Sequence, residues 1–362
     1  MPALPSSRRW NCIPPIWAQD QPQFINMRCF KTKMGLLVLI LHVFALFNCM
    51  SQPTCAWDAQ GKELSFSLSQ ISGTLNCDIK SRHGKGHHFN KVVHKPTGLL
   101  ISPDGDRMKG SGMLNFYRVL ISGGYLTELR VEEPLLEPAT NGITMTWLPT
   151  IRRQAKVKVE FTFKQPNLID MDLWVETQAN YPGFEILLSA YLADGFESGA
   201  YVAGQEFGPI EPQQIRLVDQ PMIHGLYPFF PRNEAGANLL TDGRHQKGRW
   251  YWRMAIGRRY GMPLAFFSKE GVDALLMGRP DDVYATGVTY KGDKNDNVAD
   301  HRALYLSLFG EDFKAGEGRR TQMRMVIGEF GSDPGKHQDL YQTFLKEVES
   351  KPRSFYINPE VK

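Results

Sequence analysis

The sequence predicts a mostly β protein: a large antiparallel two-sheet sandwich with a C-terminal helix. Three observations predict it. Beyond residue 57 apolar side chains recur at every second position, the period of a strand with one dry and one wet face. The 33 glycines, 23 prolines and 11% aromatic residues suit many turns between pleated surfaces. Only one segment reads clearly as helix. Asp333 and Pro334 stand where a cap and a first-turn proline belong, and Leu340, Tyr341, Phe344, Leu345 and Val348 follow as an apolar stripe.

The alternation is clearest from Gly142 to Leu192. Ile143, Met145 and Trp147 alternate with Thr144 and Thr146; Val157, Val159, Phe161 and Phe163 alternate with Lys158, Glu160 and Thr162; Ile169, Met171, Leu173 and Val175 alternate with Asp170, Asp172, Trp174 and Glu176. Pro149, the Pro166-Asn167 pair and the Tyr181-Pro182-Gly183 triplet supply turn chemistry, so these segments are expected to pair antiparallel through short loops as a meander. Leu304, Leu306 and Leu308, then Met323, Met325 and Ile327, add closing strands. No repeat, low-complexity tract or linker marks a boundary, so residues 57–352 are expected to form one β-sandwich domain and 353–362 a tail.

The run Gly35 to Phe47 follows Arg28, Lys31 and Lys33 and precedes Asn48, Ser51, Thr54 and Ala56. A basic stretch, a short apolar core and small residues make a signal peptide over residues 27–56, which implies export to a periplasmic or extracellular space. The run is shorter than the roughly 20 residues that span a bilayer, so no stable membrane span is expected. Residues 1–26 then read as a non-native upstream extension, with Met27 the true start. Cleavage after Ser51 would keep Cys55 and Cys77 as a disulfide pair in an oxidising compartment, whereas cleavage after Ala56 would leave Cys77 alone. The net charge of +4, with both signs interspersed, gives no basic patch that calls for nucleic acid.

The stretch His301 to Phe330, HRALYLSLFGEDFKAGEGRRTQMRMVIGEF, resembles the closing strands of galactose mutarotase-like sandwich proteins, and the meander from Thr144 to Tyr191 is similar to the middle of that fold. The resemblance spans about residues 60 to 350 and rests on pattern, so it speaks to architecture before activity. It implies two large antiparallel sheets, one concave, with sugars bound or transformed in the concavity. It also implies, for an epimerase, a histidine acid and a glutamate base. The sequence context that normally surrounds those two residues is absent here.

The richest polar and aromatic stretch runs from Glu206 to Arg253. A sugar site needs flat aromatic faces and planar hydrogen-bonding groups. Tyr227, Arg244, His245, Trp250 and Trp252 are the candidate substrate-binding residues, and His224, Glu206, Arg232 and His301 the candidate catalytic ones. Trp250 and Trp252 fall on one face of a strand and read equally well as core. His224 and Tyr227 with Arg232 or Arg244 suit a uronate lyase; His301 or His224 with Glu206 or Glu234 suits an aldose epimerase. A structural role for each histidine competes with both. The expected function is an exported carbohydrate-binding sandwich, against a sugar-active enzyme of epimerase or lyase type and a non-catalytic interaction module. No cofactor is required. The spacing of His83, His87, His88 and His94 matches no zinc pattern and reads as an exposed basic loop. Asp293, Asn295, Asn297 and Asp300 alternate as surface calcium ligands do, but Val298 stands where a calcium loop demands glycine.

Overall fold

The period-two segments are strands, and they sort into three large sheets. The computed structural model describes residues 52–78, 86–103, 112–204, 211–216, 227–247, 250–251, 254–289 and 302–356, and of residues 247, 250, 251 and 356 the backbone alone. A ten-stranded sheet runs from an outer strand Pro212–Arg216 through Glu197–Ala203, Tyr260–Lys269, Val272–Gly278, Glu317–Gly328, Leu168–Thr177, Ala155–Lys164 and Gly142–Trp147 to an opposite outer strand Leu135–Ala139; Ser354–Tyr356 joins beside Glu317–Gly328. A seven-stranded sheet orders Met254–Ile256, Tyr227–Pro231, Val283–Val288, Ala303–Phe313, Tyr181–Tyr191, Asn115–Ile121 and Gly124–Thr127. The third sheet follows chain order with five strands: Thr54–Trp57, Glu63–Ser67, Ile71–Asn76, His88–His94 and Leu99–Leu100.

The mostly β sandwich is therefore present, and the N-terminal sheet is an addition to the two that were expected. Inward rows such as Val157, Val159, Phe161 and Phe163 meet Leu304, Leu306 and Leu308 in one core that all three sheets share. Phe66 stacks on Phe163 with ring centroids 4.5 Å apart, and Phe89 meets Phe161 edge-on at 5.2 Å, which fastens the third sheet to the other two. Each buried phenylalanine is worth about 1.5–3 kcal/mol through the area it removes from water.

The meander ends earlier than its turn residues suggest. Gly142–Trp147, Ala155–Lys164 and Leu168–Thr177 pair in sequence, but Tyr181–Tyr191 crosses to the seven-stranded sheet. The reason is burial on both faces. Phe184, Ile186, Leu188 and Ala190 enter the shared core, while Leu187 and Tyr191 enter a separate cluster on the opposite face. The Tyr181-Pro182-Gly183 triplet is a bulge inside this strand, where the register moves from Tyr181 opposite Phe313 to Phe184 opposite Glu311, with Gly183 at φ +53°.

The C-terminal helix Pro334–Val348 forms as expected, its Asp333 carboxylate accepting from the Gly335 and Lys336 N–H groups. Tyr341, Phe344 and Val348 seat it on the outer face of the ten-stranded sheet. A short helix, Glu234–Thr241, was not anticipated; the Asn233 side chain accepts from the Gly236 N–H at 3.0 Å and starts it. Among the described residues no helix is long and apolar enough to cross a membrane.

The histidine cluster is not an exposed loop. His88–His94 is a strand, and His87, His88 and His94 are all buried. Phe89 and Val92 draw that strand into the core, while His87 Nε2 bonds the Glu132 carbonyl at 3.0 Å and His88 Nδ1 the Gly86 carbonyl at 2.8 Å. His83 and the Asp293 to Asp300 segment lie outside the described residues. Cys55 and Cys77 are free thiols rather than a disulfide. Cys55 pairs with Phe66 and Phe66 with Gly73, so Cys77 lies two strands across and four residues along. Strand spacing and rise put that at about 16 Å, well beyond the reach of a disulfide.

Candidate functional site

The outer face of the seven-stranded sheet is lined with tyrosine. Tyr191, Tyr227, Tyr284 and Tyr305 are buried there with Phe229, and Tyr117 and Tyr125 pack against them half-exposed. Rings meet at 6.3 Å (Tyr191 and Tyr305), 6.4 Å (Tyr227 and Tyr305) and 5.7 Å (Phe229 stacked on Tyr305). Alternation along Ala303–Phe313 explains the arrangement: Leu304 and Leu306 turn to the core, and Tyr305 between them turns out.

Three irregularities aim polar groups onto this face. The pairing of Tyr181–Tyr191 with Asn115–Ile121 slips between Leu187 opposite Arg118 and Leu188 opposite Phe116, leaving Tyr117 as the extra residue. The Arg118 guanidinium lies over the Tyr117 ring at 4.6 Å, and that of Arg130 at 4.0 Å. Tyr284 is likewise the extra residue between Val283 opposite Leu308 and Ala285 opposite Ser307. Gly310, at φ +67°, is the third. A Cβ on Gly310 would overlap the Tyr284 ring, so glycine both makes the bend and lets that ring lie across the strand.

Through these bends a polar cluster forms around Glu185, whose side chain is fully buried. Its Oε2 accepts a hydrogen bond from Arg244 Nη1 at 3.0 Å and a short one from the Tyr284 hydroxyl, and His245 Nε2 lies 3.8 Å away. Its Oε1 accepts no hydrogen bond among the described residues. Arg244 is held in turn by Asp242, at 3.1 Å from Nε and 2.9 Å from Nη2, and by the Gly183 carbonyl at 2.9 Å. The backbone at Gly183, with φ +53°, favours glycine, and a Cβ there would meet Ser122 Oγ first and then Arg244 Nη2 at 2.8 Å.

Burial opposes charge on both Asp242 and Arg244, yet their mutual hydrogen bonds prevail. The Asp242 carboxyl is held below its usual value and the Arg244 guanidinium above its own. Burial, and behind it the Glu185 charge, keeps the Tyr284 hydroxyl protonated far above the ordinary phenol value. His245 is lowered, chiefly by burial, against the opposing pull of Glu185, so it is neutral at pH 7. The Glu185 side chain thus has one oxygen bonded and one without a hydrogen bond among the described residues, beside a neutral imidazole.

Of the candidate residues, Tyr227, Arg244 and His245 come together on this face. Arg232 does not join them: its guanidinium donates to the Pro280 carbonyl at 3.2 Å and the Asp281 carbonyl at 2.5 Å, bracing a turn. Trp250 lies on a two-residue strand paired with Gln246–Lys247, a hairpin that adjoins Gly124–Thr127, and its side chain lies outside the described residues. Trp252, His224, Glu206 and His301 also lie outside them. Sequence reasoning missed Glu185 and Tyr284, and gave Asp242, within the Glu206 to Arg253 stretch, no role. Burial on both faces erases alternation around Glu185, and no local pattern announces a bulge at Tyr284. Asp242, two residues before Arg244, had the signal of a short charge pair.

No family model matches the chain, and no curated protein matches it. Solved structures similar to it include galactose 1-epimerase from Lactobacillus acidophilus NCFM, with 8% identity, a TM-score of 0.41, and 77% of this chain against 98% of that one covered. The GalM/aldose epimerase homologue from C. elegans shows 11% identity, a TM-score of 0.40, and coverage of 72% and 96%. For the alpha-galactosidase AgaB from Geobacillus stearothermophilus the values are 11%, 0.39, 77% and 41%, so this chain spans less than half of that enzyme. At TM-scores of this size the sandwich rests on its own strand pairing.

Proposed function

We propose that this protein is an exported carbohydrate-binding sandwich whose site is the tyrosine-lined face of the seven-stranded sheet. One observation carries the reading: a second buried cluster of aromatic rings, with Glu185, Arg244 and His245 fixed among them, lies on the sheet face turned away from the shared core, and Tyr117 and Tyr125 stand half-exposed at its margin. Pyranose rings present C–H faces to aromatic rings and hydroxyls to planar hydrogen-bonding groups. The half-exposed Tyr117 and Tyr125 offer the first and the Arg130 guanidinium over the Tyr117 ring the second, while the fully buried Glu185 and Arg244 brace the face. In this reading a ligand would approach along the edge where the half-exposed Tyr125 on Gly124–Thr127 adjoins the hairpin carrying Trp250. Export follows from the basic, apolar and small-residue run of residues 27–56. Cleavage after Ser51 is the proposal consistent with Thr54–Trp57, which pairs along its whole length with Glu63–Ser67.

The test is calorimetric titration of the protein with a panel of oligosaccharides and soluble polysaccharides. Tyr125→Ala and Trp250→Ala should each weaken binding by about tenfold, the worth of one stacked aromatic contact, with no turnover of any ligand. A panel that yields no binding would move the protein to the structural or interaction class.

A second reading, a sugar-active enzyme, is favoured by the buried Oε1 of Glu185, which has no hydrogen-bond partner among the described residues, beside the neutral His245. Such a pair can exchange a proton with a substrate hydroxyl, provided that the margin held by Tyr117 and Tyr125 moves to admit the substrate. In that case His245→Ala abolishes turnover and leaves sugar binding and the fold in place.

A further inference from the structure

The opposite side of the molecule carries a second polar groove, between the outer face of the ten-stranded sheet and the C-terminal helix. Its volume is about 230 Å³. That is below the roughly 300 Å³ at which drug-sized pockets begin, which sets the scale of a single ring. Its walls come from cross-strand rows. Glu160 lies opposite Asp172 and Asp172 opposite Gln322; Thr162 lies opposite Asp170. Phe344 and Val348 of the helix close the other side.

Asp172 fixes the groove. It accepts from Arg320 Nε at 2.8 Å and Nη2 at 2.6 Å, from Gln322 Nε2 at 2.9 Å and from Lys351 Nζ at 2.9 Å. Arg320 is further steadied against Trp174, its guanidinium 4.8 Å from the ring centroid. Donors and acceptors are thus held before any ligand arrives, which lowers the entropic cost of binding. The side chains of Glu160 and Thr162, both half-buried at the wall, make no hydrogen bond or ion pair with any described residue, although the Glu160 charge acts on Arg320 across the groove.

Charge then selects the ligand. The lining holds three acids, Glu160, Asp170 and Asp172, and three bases, Lys164, Arg320 and Lys351. A phosphate, sulfate or uronate needs surplus positive charge and an ammonium needs surplus negative charge. A balanced lining suits a neutral molecule whose groups both donate and accept, and a sugar hydroxyl does both. We infer that this groove is a second binding site, for one neutral sugar residue, engaged through Glu160 and Thr162. The inference does not depend on the tyrosine-lined face.

The experiment titrates the full chain with the methyl glycosides of glucose, galactose and mannose, and with glucuronate and glucosamine as charged counterparts. At least one neutral glycoside should bind. Glu160→Gln and Thr162→Val should each weaken that binding by about tenfold, one lost hydrogen bond, and Tyr125→Ala on the other sheet should leave it unchanged. Circular dichroism verifies that the two half-buried wall variants fold. Three results overturn the inference: no neutral glycoside binds, the wall variants bind like the wild type, or glucuronate or glucosamine binds more tightly than any neutral ring. Binding that only Tyr125→Ala reduces would leave the first site standing and remove this one.

Discussion

Arg244→Met isolates the ion pair at the centre of the tyrosine-lined face. Methionine keeps an unbranched apolar stem and removes the guanidinium that donates to Glu185 at 3.0 Å, to Asp242 at 2.9 Å and to the Gly183 carbonyl at 2.9 Å. Water cannot take its place at Glu185, whose side chain is 0% exposed. Breaking a buried pair by deleting one partner strands the other charge, at a cost of about 3–5 kcal/mol, whereas an exposed pair would cost about 0–1 kcal/mol. Urea unfolding at pH 7 measures the difference. The double variant Arg244→Met with Glu185→Gln removes the stranded charge and should recover a large part of the loss. A single-variant loss below about 1 kcal/mol, or no recovery in the double variant, would refute the view that the buried Glu185 depends on its pairing with Arg244.

Two further perturbations follow from geometry and burial. Gly310→Ala combines a left-handed φ of +67° with overlap on the Tyr284 ring, while Gly316→Ala, at φ +84° with nothing within 4 Å, carries backbone strain alone. Strain is worth about 1–2 kcal/mol, so Gly310→Ala should lose clearly more than Gly316→Ala in thermal or urea unfolding; equal losses would mean that the ring does not depend on that glycine. Burial holds His87 and His88 down at about 4, while an unfolded histidine titrates near about 6.5. Below that value the unfolded chain takes up protons that the native one refuses, so stability falls as the pH drops from about 6.5 toward 4, by roughly 2 kcal/mol per histidine at pH 5. Urea midpoints at pH 7 and pH 5 read this directly, and His87→Gln with His88→Gln should flatten the profile; a pH-independent midpoint would count against it.

Much of the architecture was legible because one-sided burial writes itself into sequence. Ala155–Lys164 and Leu168–Thr177 keep a dry face and a wet face, and the C-terminal helix announces itself through Asp333 and Pro334. Where burial is two-sided that signal vanishes. Every residue of Tyr181–Tyr191 except Pro182 is buried, so neither its crossing to the other sheet nor the role of Glu185 had a period to betray it. The His88–His94 strand was hidden by composition: histidine and asparagine look solvated until backbone carbonyls and neighbouring phenylalanines satisfy them. Of the site, the segment holding Tyr227, Arg244 and His245 stood out by its density of aromatic and charged residues. Its partners Glu185 and Tyr284 come from strands about 60 and 40 residues away in the chain, brought near by the pairing of distant strands.

Both outer strands of the ten-stranded sheet contain proline: Pro212 begins one and Pro138 lies within the other. A proline offers no N–H and resists extension of the ladder by another strand. Molecules of this chain meeting rim to rim therefore lack an uninterrupted hydrogen-bonding template, a safeguard against fibrillar stacking for a polypeptide whose broadest sheet would otherwise invite growth in either direction.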